Sequence, residues 1–160
     1  MSALDVMTEA ELFAGLSAPQ RAALAAHAHE RRARAGDVLF KLGDAAEHFY
    51  VIVDGRVELT FPLLVLGEPK EARFQTLERG RTVAWSALVP PHRLTTSGRA
   101  GTDATLLAFH RGEVMATLEA EPHIGRIVMA NLARVVAGRL QEMLALYARE
   151  VQRGVAQAYR

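Results

Sequence analysis

"AGDVLFKLGDAAEHFYVIVDGRVELTF", residues 35–61, decides how this chain is read. Short β-rich runs are punctuated by Gly36-Asp37, Gly43-Asp44 and Asp54-Gly55. The last pair is the strongest hairpin signal in the sequence, because Asp-Gly tolerates the left-handed backbone that a tight turn between twisted strands requires. "FYVIV" (49–53) precedes it and "RVELTF" (56–61) follows. Working outward, "LGEPKE" (66–71) supplies another turn, and "ARFQTLE" (72–78), "LTTSGRA" (94–100) and "ATLLAFH" (104–110) read as further strands. Several short strands at this spacing predict a β-sandwich or small barrel.

Helical periodicity flanks the strands on both sides. Thr8 with Glu11 three residues later is a capping-box pattern, and it predicts a helix through "EAELFAGL" that Gly15 stops. Ser17 with Gln20 predicts a second helix with Pro19 in its first turn. Beyond Arg111, "GEVMATLEAEP" reads as a short helix ending near Pro122. One long amphipathic segment, His123 to about Gln157, then places Ile127, Val128, Leu132, Val135, Val136, Leu140, Met143, Leu144, Tyr147 and Val151 at spacings of three and four. The fold class is therefore α+β, mainly β. A jelly-roll barrel (30–110) is flanked by short N-terminal helices (8–29) and C-terminal helices (111–158), within a single domain over 1–160.

Composition narrows the function classes. The 160 residues are 50% hydrophobic and 23% charged, ordinary for a soluble domain. A formal net charge of +1 offers no global attraction to nucleic acid. The absence of cysteine excludes disulfides, thiolate catalysis and cysteine-ligated zinc, and it fits a cytoplasmic setting. The longest apolar runs fall far short of the roughly 20 residues of a membrane helix. No Ser/His/Asp set or spaced carboxylate pair supports catalysis. "HAHE" (27–30) invites a metal reading, as in a cupin-like metalloenzyme, but at the end of a helix His27 and His29 diverge. The expectation is a non-enzyme without metal or cofactor.

The 35–61 stretch resembles the cyclic-nucleotide-binding domain of the catabolite-activator type. The resemblance is carried by Gly36-Asp37-x-Leu39-Phe40, Gly43-Asp44, Phe49 to Val53, and Gly55 before Val57-Glu58-Leu59. The order of helices and strands extends it over roughly Glu9 to Val151, and it suggests a stand-alone bacterial member. It implies a regulatory sensor domain with cyclic AMP or another cyclic nucleotide as ligand class. It further implies a dimer through the C-terminal helix, where Leu132, Val136, Leu140, Met143 and Tyr147 are near-heptad in spacing. The chain ends at Arg160 without the helix-turn-helix of the family's transcription factors, so no direct DNA contact is expected.

In the family the ligand phosphate is held by a cassette of pattern Phe-Gly-Glu, a small or apolar residue, Ala-Leu, a variable loop, then Pro-Arg and a small-residue strand. The matching run here is Val83-Ala84-Trp85-Ser86-Ala87-Leu88, then Val89-Pro90-Pro91-His92-Arg93-Leu94-Thr95-Thr96. The resemblance makes Ala84, Trp85, Ser86, Ala87, Arg93, Thr95 and Thr96 the candidate ligand-binding residues. Trp85 stands where the family places the glutamate that accepts from the ribose, a departure that disfavours ordinary cyclic nucleotides. Two readings of Trp85 stay open, a platform for a different ligand and a plug that fills the pocket. Arg93 is the candidate phosphate arginine, yet counting back from Arg99-Ala100 puts Leu94 there, and one residue of register reverses the face. From Arg79 to Thr102 the chain carries Arg79, Arg81, Arg93 and Arg99 and no acid. The functional expectation is a dimeric sensor binding a small ligand at 83–96, and the alternative is a degenerate domain that serves as a protein-interaction or scaffold module.

Overall fold

Eight short strands pair into two four-stranded antiparallel sheets in a computed structural model that describes residues 3–159. They are β1 (Ala28–Ala33), β2 (Val38–Phe40), β3 (His48–Asp54), β4 (Val57–Val65), β5 (Glu68–Leu77), β6 (Thr82–Val83), β7 (Ser97–Ala100) and β8 (Ala104–His110). One sheet runs β1-β8-β3-β6 and the other β2-β7-β4-β5. This is the expected jelly roll, in which strands alternate between two facing sheets. At its centre Phe49 pairs with Phe109 across β3 and β8, and their rings stack with centroids 5.0 Å apart. Phe13 meets Phe109 edge-on at 5.5 Å, which ties the N-terminal segment into the same core.

The helices cover this core from outside the sheets: α1 (Ala3–Glu9), α2 (Ala18–Ala25), α3 (Arg111–Ala120) and α4 (Pro122–Ala158). The Ser17 capping box of α2 forms as expected: the Gln20 N–H donates to Ser17 Oγ at 3.4 Å, and the Ser17 N–H donates to Gln20 Oε1 at 2.8 Å. The helix expected from Thr8 does not form. Helix α1 ends at Glu9 and residues Glu11–Phe13 make a single 3-10 turn. Glu11 turns instead to the barrel, where its carboxylate accepts the Thr82 N–H at 2.8 Å. A partner 71 residues away has displaced the local cap. Helix α2 likewise ends at Ala25, so His29 and Glu30 belong to strand β1 opposite Ala108 and Leu107. The turn expected over 66–71 is confined to Leu66 and Gly67.

Helix α4 has two halves. Up to Arg139 it buries Ile124, Val128, Leu132 and Val135 against the body of the domain. Asn131 fastens this half by donating from Nδ2 to the carbonyls of Leu12 (3.0 Å) and Ala14 (2.8 Å). Beyond Arg139 no residue of the helix is buried. Among the described residues no helix is long and apolar enough to cross a membrane.

Candidate functional site

Strand β6 brings the 83–96 segment to the sheet. Thr82 and Val83 pair with Val51 and Tyr50 of β3, and the chain then turns sharply at Ala84, whose backbone is left-handed at φ 57°, ψ 36°. A 3-10 turn, Trp85–Leu88, follows. A residue with a Cβ pays roughly 1–2 kcal/mol in that conformation, and a glycine does not. Ala84→Gly is therefore expected to raise stability by about 0.5–1 kcal/mol after the extra chain entropy of glycine is deducted. Urea titration measures this, and a loss of stability would show that the turn is unstrained.

After a cis Pro90-Pro91 bond the loop returns beside residues 43–46. The Leu94 N–H donates to the Asp44 carbonyl at 2.9 Å, and the Gly43 N–H to the Leu94 carbonyl at 2.8 Å. This register turns Leu94 inward and leaves Arg93 exposed, with its Nη1 donating to the Gly43 carbonyl at 3.0 Å. The arginine expected in the pocket thus lies on the outside, and a leucine occupies the inward position. Alternation of side chains along extended backbone is the reason.

A cavity of about 290 Å³ opens under this segment. Its walls are Leu59 and Phe61 of β4, Phe74 and Gln75 of β5, Thr82 and Val83 of β6, Ala84 to Ser86, Leu94 to Thr96, and Val136, Arg139, Leu140 and Met143 of α4. Of the residues singled out from the sequence, Ala84, Trp85, Ser86, Thr95 and Thr96 line it. Ala87 is fully buried in the core behind it, and neither Ala87 nor Arg93 is part of the wall. Trp85 is partly buried and lines the space without filling it.

Three polar wall residues escaped the sequence reading: Gln75, Thr82 and Arg139. Arg139 had a legible signal, since it continues the buried stripe Val128, Leu132, Val135 at core spacing, where an arginine is out of place. It is only 7% exposed. Its Nη2 donates to Glu11 Oε1 and to the Thr82 carbonyl, each at 3.1 Å. Burial pushes the guanidinium below its ordinary pKa, and the Glu11 carboxylate pulls it back.

Arg81 completes the cluster, with Nε 3.0 Å from Glu11 Oε2 and Nη2 3.6 Å from Glu142 Oε1. Elsewhere Arg79 meets Glu9 at 2.6 Å, and Arg99 meets Glu58 at 2.7 Å. The acid-free stretch therefore draws its counter-charges from Glu9, Glu11, Glu58 and Glu142, all remote in sequence. Arg79, Arg81 and Arg99 are partners of those acids, and among the described residues the Arg93 side chain donates to the Gly43 carbonyl instead. Arg139, the charged residue among those that line the cavity, is paired with Glu11, so it brings no surplus positive charge to a ligand phosphate.

The model of the cyclic nucleotide-binding domain family matches residues 30–121. No curated protein matches the chain. Among solved structures, the N-terminal domain of a transcriptional regulator from Streptomyces coelicolor is 27% identical with a TM-score of 0.71, covering 87% of this chain and 95% of that one. The catabolite activator protein of Thermus thermophilus is 26% identical with a TM-score of 0.72; the match covers 88% of this chain and 63% of the activator. A cyclic nucleotide-binding domain from Methylobacillus flagellatus shares the fold at a TM-score of 0.77 and 16% identity, covering 92% and 81% of the two chains.

Proposed function

Because this chain belongs to the cyclic nucleotide-binding domain family, whose members are regulatory and sensor domains, we propose that it is a sensor whose small-molecule ligand enters the cavity beneath α4. The observation that carries this reading is the composition of the cavity wall. Helix α4 contributes Val136, Arg139, Leu140 and Met143 to the same space as Trp85, Thr95 and Thr96. A ligand that contacts both favours one helix position over another, and that differential affinity is what turns binding into a signal. The short joint at Glu121, between α3 and α4, is where the helix turns. A cytoplasmic site of action and no direct contact with nucleic acid belong to the same reading.

Trp85 is the sole tryptophan and lines the cavity, so it reports occupancy. A panel of cyclic AMP, cyclic GMP, cyclic dinucleotides and small-molecule metabolites is titrated while Trp85 emission and melting temperature are followed. A compound that moves both supports the sensor. If no compound moves either, the domain is a protein-interaction module whose cavity is unused. Cyclic AMP itself is expected to act weakly, because Trp85 replaces the ribose acceptor and Arg93 lies outside.

The same reading makes the protein a homodimer through the second half of α4. Leu140, Leu144, Tyr147, Val151 and Val155 follow 4-3-4-4 spacing and are 58, 56, 69, 45 and 51% exposed. A stripe of large apolar side chains left in water at near-heptad spacing calls for a partner helix. Leu144→Glu with Val151→Glu is expected to weaken self-association roughly a hundredfold, with the barrel's melting temperature unchanged. Light scattering checks it; a monomeric wild type throughout the micromolar range excludes the dimer.

A further inference from the structure

A bulge in strand β5 shapes the cavity beneath α4. Leu59 pairs with Gln75 and Thr60 with Arg73, so Phe74 is an extra residue without a partner across the ladder. Successive residues of a regular strand face opposite sides of the sheet, but a bulge re-aims them, and here both Phe74 and Gln75 line the cavity. The Phe74 ring stacks on Phe61 with centroids 4.9 Å apart. Phe61, Phe74 and Trp85 are all only partly buried, so three aromatic residues with unclaimed surface border one space.

The same wall offers a ligand no net charge and little polarity. Arg139 is held by Glu11 at 3.1 Å. Arg139 Nε, Thr82 Oγ1 and Gln75 Oε1 are sealed beneath the surface and out of a ligand's reach. The hydroxyls of Ser86, Thr95 and Thr96 are uncharged. An ionised molecule gives up its hydration against Phe61, Phe74, Leu94, Val136 and Met143 and meets no counter-charge. An apolar molecule gains from the same burial. Size sets a second limit: an apolar cavity of roughly 150 Å³ holds one benzene ring. At about 290 Å³ this one has room for two.

We infer that the cavity takes an uncharged, largely hydrocarbon molecule about the size of two aromatic rings, bounded by Phe61, Phe74 and Trp85 on one side and by Val136 and Met143 of α4 on the other. The inference rests on the sensor reading and names the class of its ligand.

Calorimetric titration of the full chain with naphthalene, 2-naphthoate and cyclic AMP tests it. Naphthalene is expected to bind about tenfold tighter than either anion, with the negative heat-capacity change that marks apolar burial. Phe74→Ala is expected to weaken naphthalene about tenfold. Met143→Glu sets a charge in the wall at a half-buried position of α4, and it is expected to abolish naphthalene binding while the melting temperature holds. Phe74 and Met143 lie on separate elements, so one variant still reads the site if the other unfolds. Binding of 2-naphthoate or cyclic AMP as tight as that of naphthalene, and weakened by Phe74→Ala, overturns the ligand class and leaves the sensor reading intact. Naphthalene binding that both variants leave unchanged overturns the inference, because the molecule then lies elsewhere. If naphthalene does not bind, the inference falls; the sensor reading falls with it only when the panel titrated against Trp85 is silent as well.

Discussion

Glu11→Ala is expected to destabilise the protein by about 3 kcal/mol, the scale for removing one partner of a buried charged pair. Three groups depend on this carboxylate: the Thr82 N–H at 2.8 Å, Arg139 Nη2 at 3.1 Å and Arg81 Nε at 3.0 Å. Arg81 is partly exposed and turns to water, but Arg139 is buried and keeps only the Thr82 carbonyl and the more distant Glu142. The melting temperature should fall by about 6–12 °C. Glu11→Gln keeps an acceptor for the Thr82 N–H and loses the charge, so it should fall between wild type and alanine. Removing both partners, as Glu11→Gln with Arg139→Met, should recover most of the loss because no charge remains buried. A change below about 0.5 kcal/mol for Glu11→Ala, typical of an innocuous surface substitution, would mean the cluster is solvated and idle.

The second large effect concerns Gly55. Its φ is +80°, and a Cβ built there falls on the Asp103 carbonyl oxygen and lies 2.8 Å from Ala104 Cα and 2.9 Å from Thr102 Oγ1. Two penalties combine in Gly55→Ala: roughly 1–2 kcal/mol for the left-handed backbone and roughly 1–3 kcal/mol for overpacking. A loss of about 3–4 kcal/mol is expected from them together. Gly43 isolates the first term. Its φ is +86° with nothing within 4 Å, so Gly43→Ala should cost only about 1 kcal/mol. Chemical denaturation of the two variants decides the matter. Equal losses would show that the close approach of the 102–104 turn adds nothing.

These two sites also show what could be read in advance. Asp54-Gly55 announced a hairpin because its requirement is local: a left-handed residue between two strand-forming runs. That the hairpin tip lies against the backbone of 102–104, with the Arg56 N–H on Thr102 Oγ1 at 3.0 Å, has no local signature. Glu11 misled for a related reason. Three residues after Thr8 it matched a capping box, yet a barrel amide and two arginines held it more strongly than its own helix end could. Local propensity loses wherever a tertiary partner offers more.

Legible in the sequence were the jelly roll, the second N-terminal helix and the C-terminal helices, which depend on periods and turn chemistry that act over a few residues. The family and the segment that forms one wall of the cavity were legible through the resemblance carried by residues 35–61 and 83–96. Only the tertiary structure decided which way Arg93 faces, since a one-residue register step, invisible in composition, reverses a side chain. Only it showed that the arginines of the acid-free stretch are balanced by Glu9, Glu11, Glu58 and Glu142, because charges pair by distance in space. Arg139, Gln75 and Thr82 line the cavity for the same reason: a helix from the far end of the chain lies there beside two consecutive strands.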